Sequence, residues 1–416
     1  MEINQPKSKG LKLHLSPNIN LIIPGQGVFM FASNICDPQS DDVSFNILNE
    51  NNEGFNVQFL EDSIMVNRIG ILQPLIDEKN IKGLSNLKGA YYWFSIDSQN
   101  QQLYAGIGEA RMETVVYRYK FNFMKENDEF RKNNKLFLES LTKIHINHNI
   151  KPIRLLRDPV TLYVPLNVKS TKELSMNDIA SGKYMPKANL STMGQKLYEC
   201  IAGKKFILDD DDFPDFSKAI EFSILNPDGW CFKKLKDKST EFNKDKPNIN
   251  ETYLRITLGQ NNGESPGIPY VMEIWPMGHF SPIHNHAGAE AVIRVLYGEI
   301  NVSLFPFLCG DKDKNIKFGE ANFKEGDITW ISSTLNQTHQ LRNIKDDKTC
   351  ITIQCYMYNN EDLSHYDYFD YVDENGDILK YEPDSDKDFV QFKQLMKEEW
   401  ESRQPNNSRC FSCFGN

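Results

Sequence analysis

Short runs of β-branched and aromatic residues, each closed by Gly, Asn, Asp or Pro, recur through two separate stretches of this 416-residue chain. That rhythm constrains the fold more than any other property. Alternating apolar residues make half-buried strands, and frequent turns force the strands to fold back on one another. The first stretch runs from Leu11 to about Phe123 and includes GVFMFAS, FNVQFLE, AYYWFSID, QLYAGIG and TVVYRYKF. Turn clusters such as Asn51-Asn52-Glu53-Gly54 and Ser98-Gln99-Asn100 separate its runs. This spacing predicts an antiparallel sandwich or jelly-roll-like β domain over residues 1–150, with no catalytic cluster inside it. The second stretch follows Tyr253: YLRITLGQ, YVMEIWPM, AVIRVLYG, INVSLFPF, DITWISS and CITIQCYMY, with two of these strands meeting at Gly298-Glu299.

Helical text lies between and after these stretches. Lys125–Lys143 is charged and rich in helix formers, and residues 151–190 read as a connector with a strand expected at Val160–Leu166. From Ser191 two helical segments follow, MGQKLYECI and FPDFSKAIEF, the second stopped by Asn226-Pro227-Asp228-Gly229. The acidic run Asp209–Asp212 reads as negative charge at a helix N-terminus. Near the end, Ser385 with Asp388 resembles a capping box, and Phe389, Phe392, Leu395, Met396 and Trp400 repeat at helical spacing. The tail 404–416, with Cys410 and Cys413, is expected to be loose.

Composition narrows the function classes. Lys plus Arg is 47 against Asp plus Glu 57, a net charge of -10, which argues against an extended cationic surface for nucleic acid. No run approaches the roughly 18 apolar residues of a membrane-spanning helix. The eight cysteines fall below disulfide-scaffold density and Met1–Gly10 has no apolar core, so reduced thiols in a cytoplasmic protein are expected.

Histidine is also scarce, eight in all, yet His279, His284, His286 and His339 fall in one short region. Residues at i and i+2 of a strand share a face, so His284 and His286 would present both imidazoles to one interior. A third donor is needed to close a metal site, and His339, after the strand DITWISS, is the candidate. His279 stands at odd spacing and reads as a loop or rim residue. The wider pattern is Gly278-x5-His284-x-His286-x3-Glu290-x7-Gly298, then Gly326 and His339-x3-Asn343.

That pattern resembles the two motifs of the cupin superfamily, small β-barrels that hold a metal between three histidines and often a glutamate. Within cupins, residues 191–403 resemble the cysteine dioxygenase (type I thiol dioxygenase) family. The helical lead-in with DFPDFSKAI and NPDGW, Tyr253-Leu254-Arg255, SPIHNHAG and Tyr356 carry the likeness. It implies a mainly β chain in which the jelly-roll-like domain precedes a cupin β-barrel flanked by a helical lead-in and a C-terminal helix. It further implies iron(II) on His284, His286 and His339, Arg255 on the substrate carboxylate with Tyr253 in support, and Tyr356 as the acid beside the reacting atoms. The implied activity is oxidation of L-cysteine by dioxygen to cysteine sulfinate.

Three positions depart from the family. Ala291 stands where many members carry the cysteine that cross-links to the tyrosine. The Ser-x-His-x-Tyr relay reads Thr352-x-Gln354-x-Tyr356, and Gln354 can hydrogen-bond the tyrosine without titrating as histidine does. Glu290 is a candidate fourth ligand, which would suit a metal cupin acting on a non-thiol substrate. A degenerate, non-catalytic binding module is the third reading, kept open by Gln354.

Overall fold

A computed structural model describes residues 10–12, 18–33, 43–60, 63–71, 74–75, 90–121, 128–146, 150–161, 163–259, 264–265, 268–310, 315–358 and 369–403. The chain divides into two compact units, one of residues 1–164 with 305–319, the other of residues 165–304 with 320–416.

In the first unit the aromatic runs form two six-stranded sheets. One is ordered Gly10–Lys12, Ile150–Leu156, Gln26–Ser33, Tyr91–Asp97, Gln102–Ile107, Val115–Lys120; the other Asn18–Asn20, Lys143–Ile146, Val43–Leu48, Gly54–Phe59, Ile64–Arg68, Pro74–Leu75. Alternation aims Phe29 and Phe31 of one sheet at Phe45 and Phe59 of the other, with ring centroids 5.1–5.4 Å apart for Phe29–Phe45, Phe31–Phe45 and Phe31–Phe59. Phe307 and Cys309, contributed by the 305–319 excursion, are buried in this same core. The strand Ile150–Leu156 carries the sheet past residue 150, and no strand forms among the described residues of the expected Val160–Leu166 segment. There Val160 donates its N–H to the Ser95 hydroxyl at 3.0 Å and packs on Trp93, so the chain is held by packing without a strand partner.

The second unit also has two sheets. One orders Ile328–Ile331, Glu290–Tyr297, Cys350–Met357, Ile268–Trp275, Leu254–Leu258 and Lys387–Asp388, with Glu264–Ser265 beside Ile268–Trp275. The other orders Gly319–Lys324, Glu299–Leu304, Thr338–Arg342, Ile283–Asn285, Phe369–Val372 and Ile378–Tyr381. The expected closed barrel is corrected: among the described residues the ladders end at edges and leave two open sheets. The chain passes from one sheet to the other at Gly298, whose φ is 75° and where a Cβ would lie 2.3 Å from the Thr349 carbonyl, so only glycine fits the turn.

Strand parity sorts the first of these sheets into two faces. Leu254, Ile256, Met272, Ile274 and Ile351 join a helical layer built on Phe216, Ile220, Phe392 and Met396. Those four come from helices Phe216–Leu225 and Phe389–Ser402. The helix Phe216–Leu225 is capped as its acidic lead-in suggests, since Asp209 accepts from the Ser217 N–H at 2.7 Å. The last helix is capped by Asp388 itself, which accepts from Val390 and Gln391, while Ser385 bonds Thr257, correcting the expected capping box. The opposite face of the sheet presents Arg255, Glu273, Ile293, Gln354 and Tyr356 to a cavity between the two sheets.

Candidate metal centre

His284 lies on the strand Ile283–Asn285 and pairs in register with His339 of Thr338–Arg342. His286 follows one residue past the strand. One ring nitrogen of each lies within 4.8 Å of the others, the only such cluster among the described residues. All three are buried, at 4–5% exposure.

Their tautomers follow from partners. The Pro282 carbonyl lies 3.0 Å from His284 Nδ1, and the Asn336 carbonyl 3.0 Å from His339 Nδ1. A carbonyl only accepts, so both Nδ1 atoms carry the proton and both Nε2 lone pairs are free to ligate. His286 Nε2 approaches His339 Nε2 to 3.2 Å, the closeness expected of donors converging on one cation. Burial, then the neighbouring His339 ring, pushes His284 down to about 3. Burial pushes His339 down to about 4, and His286 is driven well below its ordinary range by burial and by both partners. The imidazoles are therefore neutral at pH 7, the state a metal requires. Three neutral nitrogen donors, joined by no carboxylate among the described residues, suit a borderline divalent ion such as iron or zinc and leave coordination positions open.

The loops are locked together. Ala287 and Gly288 have φ of 50° and 84°, so the chain turns sharply after His286 and parity is not carried into the next strand. Gln337 accepts from the Gly288 N–H at 2.8 Å and donates to the Ala289 carbonyl at 2.8 Å, tying the His286 turn to the strand that bears His339. Asn336, at φ 61°, donates to the Trp330 carbonyl at 3.0 Å. These two side chains belong to the stretch ISSTLNQT that leads into His339.

Glu290 begins the strand Glu290–Tyr297 on the face away from the cavity, beside the helix Thr192–Ile201. The Ser191 hydroxyl donates to its carboxylate and also accepts from the Gly194 N–H at 2.8 Å, capping that helix. Four residues on, Arg294 donates to the Ile201 and Gly203 carbonyls, both at 3.0 Å, at the helix's other end. A ten-residue helix rises about 15 Å and four strand residues about 13 Å, so acid and base meet the ends whose dipole each complements. Ala291, by contrast, faces Tyr356.

Arg255 and Glu273 pair in register on adjacent strands and meet at 3.4 Å, at 6% and 4% exposure. Burial works against the guanidinium charge, but Glu273 raises it above its ordinary value. Burial raises Glu273, while Arg255, Gln354 and Lys238 pull it back. Gln354 donates to Glu273 and accepts from the Tyr356 hydroxyl, so the two-residue repeat Thr352, Gln354, Tyr356 joins this carboxylate on one face. Burial, then Glu273, holds Tyr356 well above the usual phenol range, so it is a proton donor. Tyr253 stacks on Trp275 with centroids 4.3 Å apart.

The cavity has a volume of about 40 Å³ and is lined by the three histidines, Tyr253, Arg255, Glu273, Gln354 and Tyr356, with Val295, Ile300, Val302 and Phe323 among its apolar wall. Every proposed site residue except Glu290 therefore meets here. Glu273 was the residue sequence reasoning passed over, although a single acid inside the apolar strand IPYVMEIW was its visible signal. His279, read as a rim residue, is instead buried, with Nδ1 2.9 Å from the Thr252 carbonyl.

No family model matches the chain. Cysteine dioxygenase type 1 of Rattus norvegicus is 23% identical over 104 residues, covering 25% of this chain and 50% of that protein. The Bos taurus protein of the same name is 24% identical over the same shares. The chain thus spans about half the length of the curated relatives it matches. Among solved structures, oxalate oxidase with the substrate analogue glycolate shows 16% identity and a TM-score of 0.21 over 26% of this chain and 52% of that one. A cupin domain of an XRE family transcriptional regulator from Enterobacter cloacae shows 15% identity and a TM-score of 0.20 over 26% of this chain and 96% of that one. Over about a quarter of its length, this mainly β chain with its three-histidine site is similar in sequence to cysteine dioxygenase type 1.

Proposed function

We propose that the second unit is a mononuclear iron(II) thiol dioxygenase that converts L-cysteine and dioxygen to cysteine sulfinate. The observation that carries this reading is three buried, neutral imidazoles, joined by no acidic ligand among the described residues, opening on a cavity that also holds an arginine and a protonated tyrosine. Iron(II), when bound, supplies open positions that take the substrate as thiolate and bring dioxygen beside it. Arg255 binds the substrate carboxylate through its fork of donors and so fixes the direction of the sulfur. Tyr356 donates its single hydroxyl hydrogen to Gln354, and turning that hydrogen toward bound substrate makes it the donor beside the reacting atoms. Val295, Ile300, Val302 and Phe323 keep the site dry, which strengthens each of these contacts. Both oxygen atoms end on sulfur and the thiol's proton is retained by the product acid, so thiol plus dioxygen balances without a further reductant.

The test is oxygen uptake by the iron-loaded chain with L-cysteine. The intact protein is expected to consume one dioxygen per sulfinate formed. His284→Ala abolishes uptake, and Arg255→Ala raises KM for cysteine at least about tenfold by removing a charge-assisted contact. Absence of cysteine-dependent uptake by the intact, iron-loaded protein refutes the reading.

A further inference from the structure

Two thiols meet on the side of the sheet turned away from the histidines. The helix Thr192–Ile201 packs there on the strands Glu290–Tyr297 and Cys350–Met357. Cys355 is buried beneath it, with Sγ 3.4 Å from the Leu197 carbonyl. Leu197 and Cys200 stand three apart on the helix, so the face that covers Cys355 also carries Cys200. Tyr270, the in-register neighbour of Cys355 on the adjoining strand, completes the group, and both hydrogen-bond Cys200. Cys200 is only half-buried and so within reach of solvent. Burial, then Cys200, holds the Cys355 thiol well above its ordinary value, and the same two causes raise Tyr270, so both keep their protons. Cys355 foremost, with Tyr270 assisting, draws the Cys200 thiol down against burial and the Glu199 carboxylate. The negative end of the helix would oppose a thiolate, but the Arg294 guanidinium takes the Ile201 and Gly203 carbonyls just beyond Cys200. A reachable thiolate backed by a protonated thiol is the arrangement in which oxidation stops at a disulfide.

We propose that Cys200 and Cys355 form a redox site for hydroperoxides, with Cys200 as the attacking sulfur and Cys355 as the resolving one. The site uses none of the residues assigned to thiol oxidation and stands apart from that reading. The Cys200 sulfur attacks one peroxide oxygen. An S–O bond forms as the O–O bond breaks, sulfur gives two electrons to the peroxide, and the departing oxygen takes a proton from solvent and leaves as water or an alcohol. The Cys355 sulfur then attacks the sulfenic acid. The S–S bond forms, the S–O bond breaks, and the Cys355 proton leaves with the hydroxyl as water, so no free Cys355 thiolate has to exist. Two thiols and one hydrogen peroxide thus give one disulfide and two waters. An external thiol returns the pair to its reduced form by exchange.

The full chain, loaded with redox-inert zinc and freed of reductant, is treated with a small excess of hydrogen peroxide at pH 7. It is then alkylated while folded, digested without reduction and mapped by mass spectrometry, with fragmentation to tell Cys355 from Cys350. The expected product is a peptide pair joined through Cys200 and Cys355, with an at least about fivefold loss of Cys200 alkylation that dithiothreitol reverses. Cys200→Ser removes the cross-link and keeps one zinc per chain, the sign that the variant folds. In Cys355→Ser the oxidation halts at Cys200 sulfenic acid, read as its dimedone adduct. Recovery of Cys200 as free thiol from the peroxide-treated natural protein overturns the proposal. So does Cys200 carried straight to sulfinic acid, or joined to a different cysteine. These three results are read on the natural protein, so an unstable variant cannot rescue the proposal.

Discussion

The metal-free protein should lose stability on mild acidification, and the three histidines set the amount. His284 and His339 are held down to about 3 and about 4, and His286 well below its ordinary value, against 6.5 for a free imidazole. Each folded value lies below the unfolded one, so protons bind the unfolded chain first. Stability is complete above about 6.5 and drains away as pH falls toward the folded values. At pH 5.5, one unit under the free value, protonation stabilises each unfolded histidine by about 1.4 kcal/mol, or about 4 kcal/mol for the three. That figure depends on the unfolded histidines and requires only that the folded ones remain neutral at pH 5.5. The assay is urea unfolding of metal-free protein at pH 7.5 and 5.5, beside a variant with His284, His286 and His339 all changed to Gln. Every other titrating group, the buried His279 included, is common to both and cancels. The natural protein should lose about 4 kcal/mol more than the variant between the two pH values. An equal loss in both would refute the claim that burial keeps these rings neutral.

Glu290→Ala should leave zinc stoichiometry at one per chain, because Glu290 bonds Ser191 and lies outside the histidine cluster. It should still cost about 0.5–1.5 kcal/mol in unfolding free energy by removing the hydrogen bond to the exposed Ser191 hydroxyl at the helix start. Removing either member of the buried Arg255–Glu273 pair, as Arg255→Met or Glu273→Gln, should cost about 3–5 kcal/mol, while the double variant costs much less than the sum. Additive costs in that unfolding cycle would show that the pair does not interact. Cys200 is held down to about 6 by its hydrogen bond from Cys355, with burial opposing and Tyr270 assisting. Iodoacetamide labelling followed by peptide mapping should give Cys200 a midpoint near that value, with buried Cys231, Cys350 and Cys355 unlabelled.

Much of the site was legible because strand spacing is rigid. His284 and His286, and likewise Gln354 and Tyr356, stand two apart, and a two-residue period places each pair on one side. The period fails wherever the chain turns. Ala287 and Gly288 break it between His286 and Glu290, so the outward direction of Glu290 could not be counted from the histidines. Cross-strand neighbours were equally hidden. Arg255 opposes Glu273 across two antiparallel strands, and nothing in either strand's own text states that register. The missing strand at Val160–Leu166 shows the opposite limit: apolar text was present, but tertiary packing on Trp93 used it without a ladder. Closure of the barrel was a property of the family likeness and of no local pattern, and the ladders of this chain end in open edges.

The excursion of residues 305–319 bears on how this chain can be taken apart. Phe307 and Cys309 are 4% and 2% exposed in the core of the first unit, yet they are encoded in the middle of the second. A gene fragment ending at Val164 would therefore omit part of its own core, and a fragment beginning at Pro165 would carry an apolar segment with nowhere to bury it. The natural seam is one a single cut cannot follow. Excision of residues 305–319 with a short polar bridge, and their return as a graft to the first fragment, is the recombination that respects it.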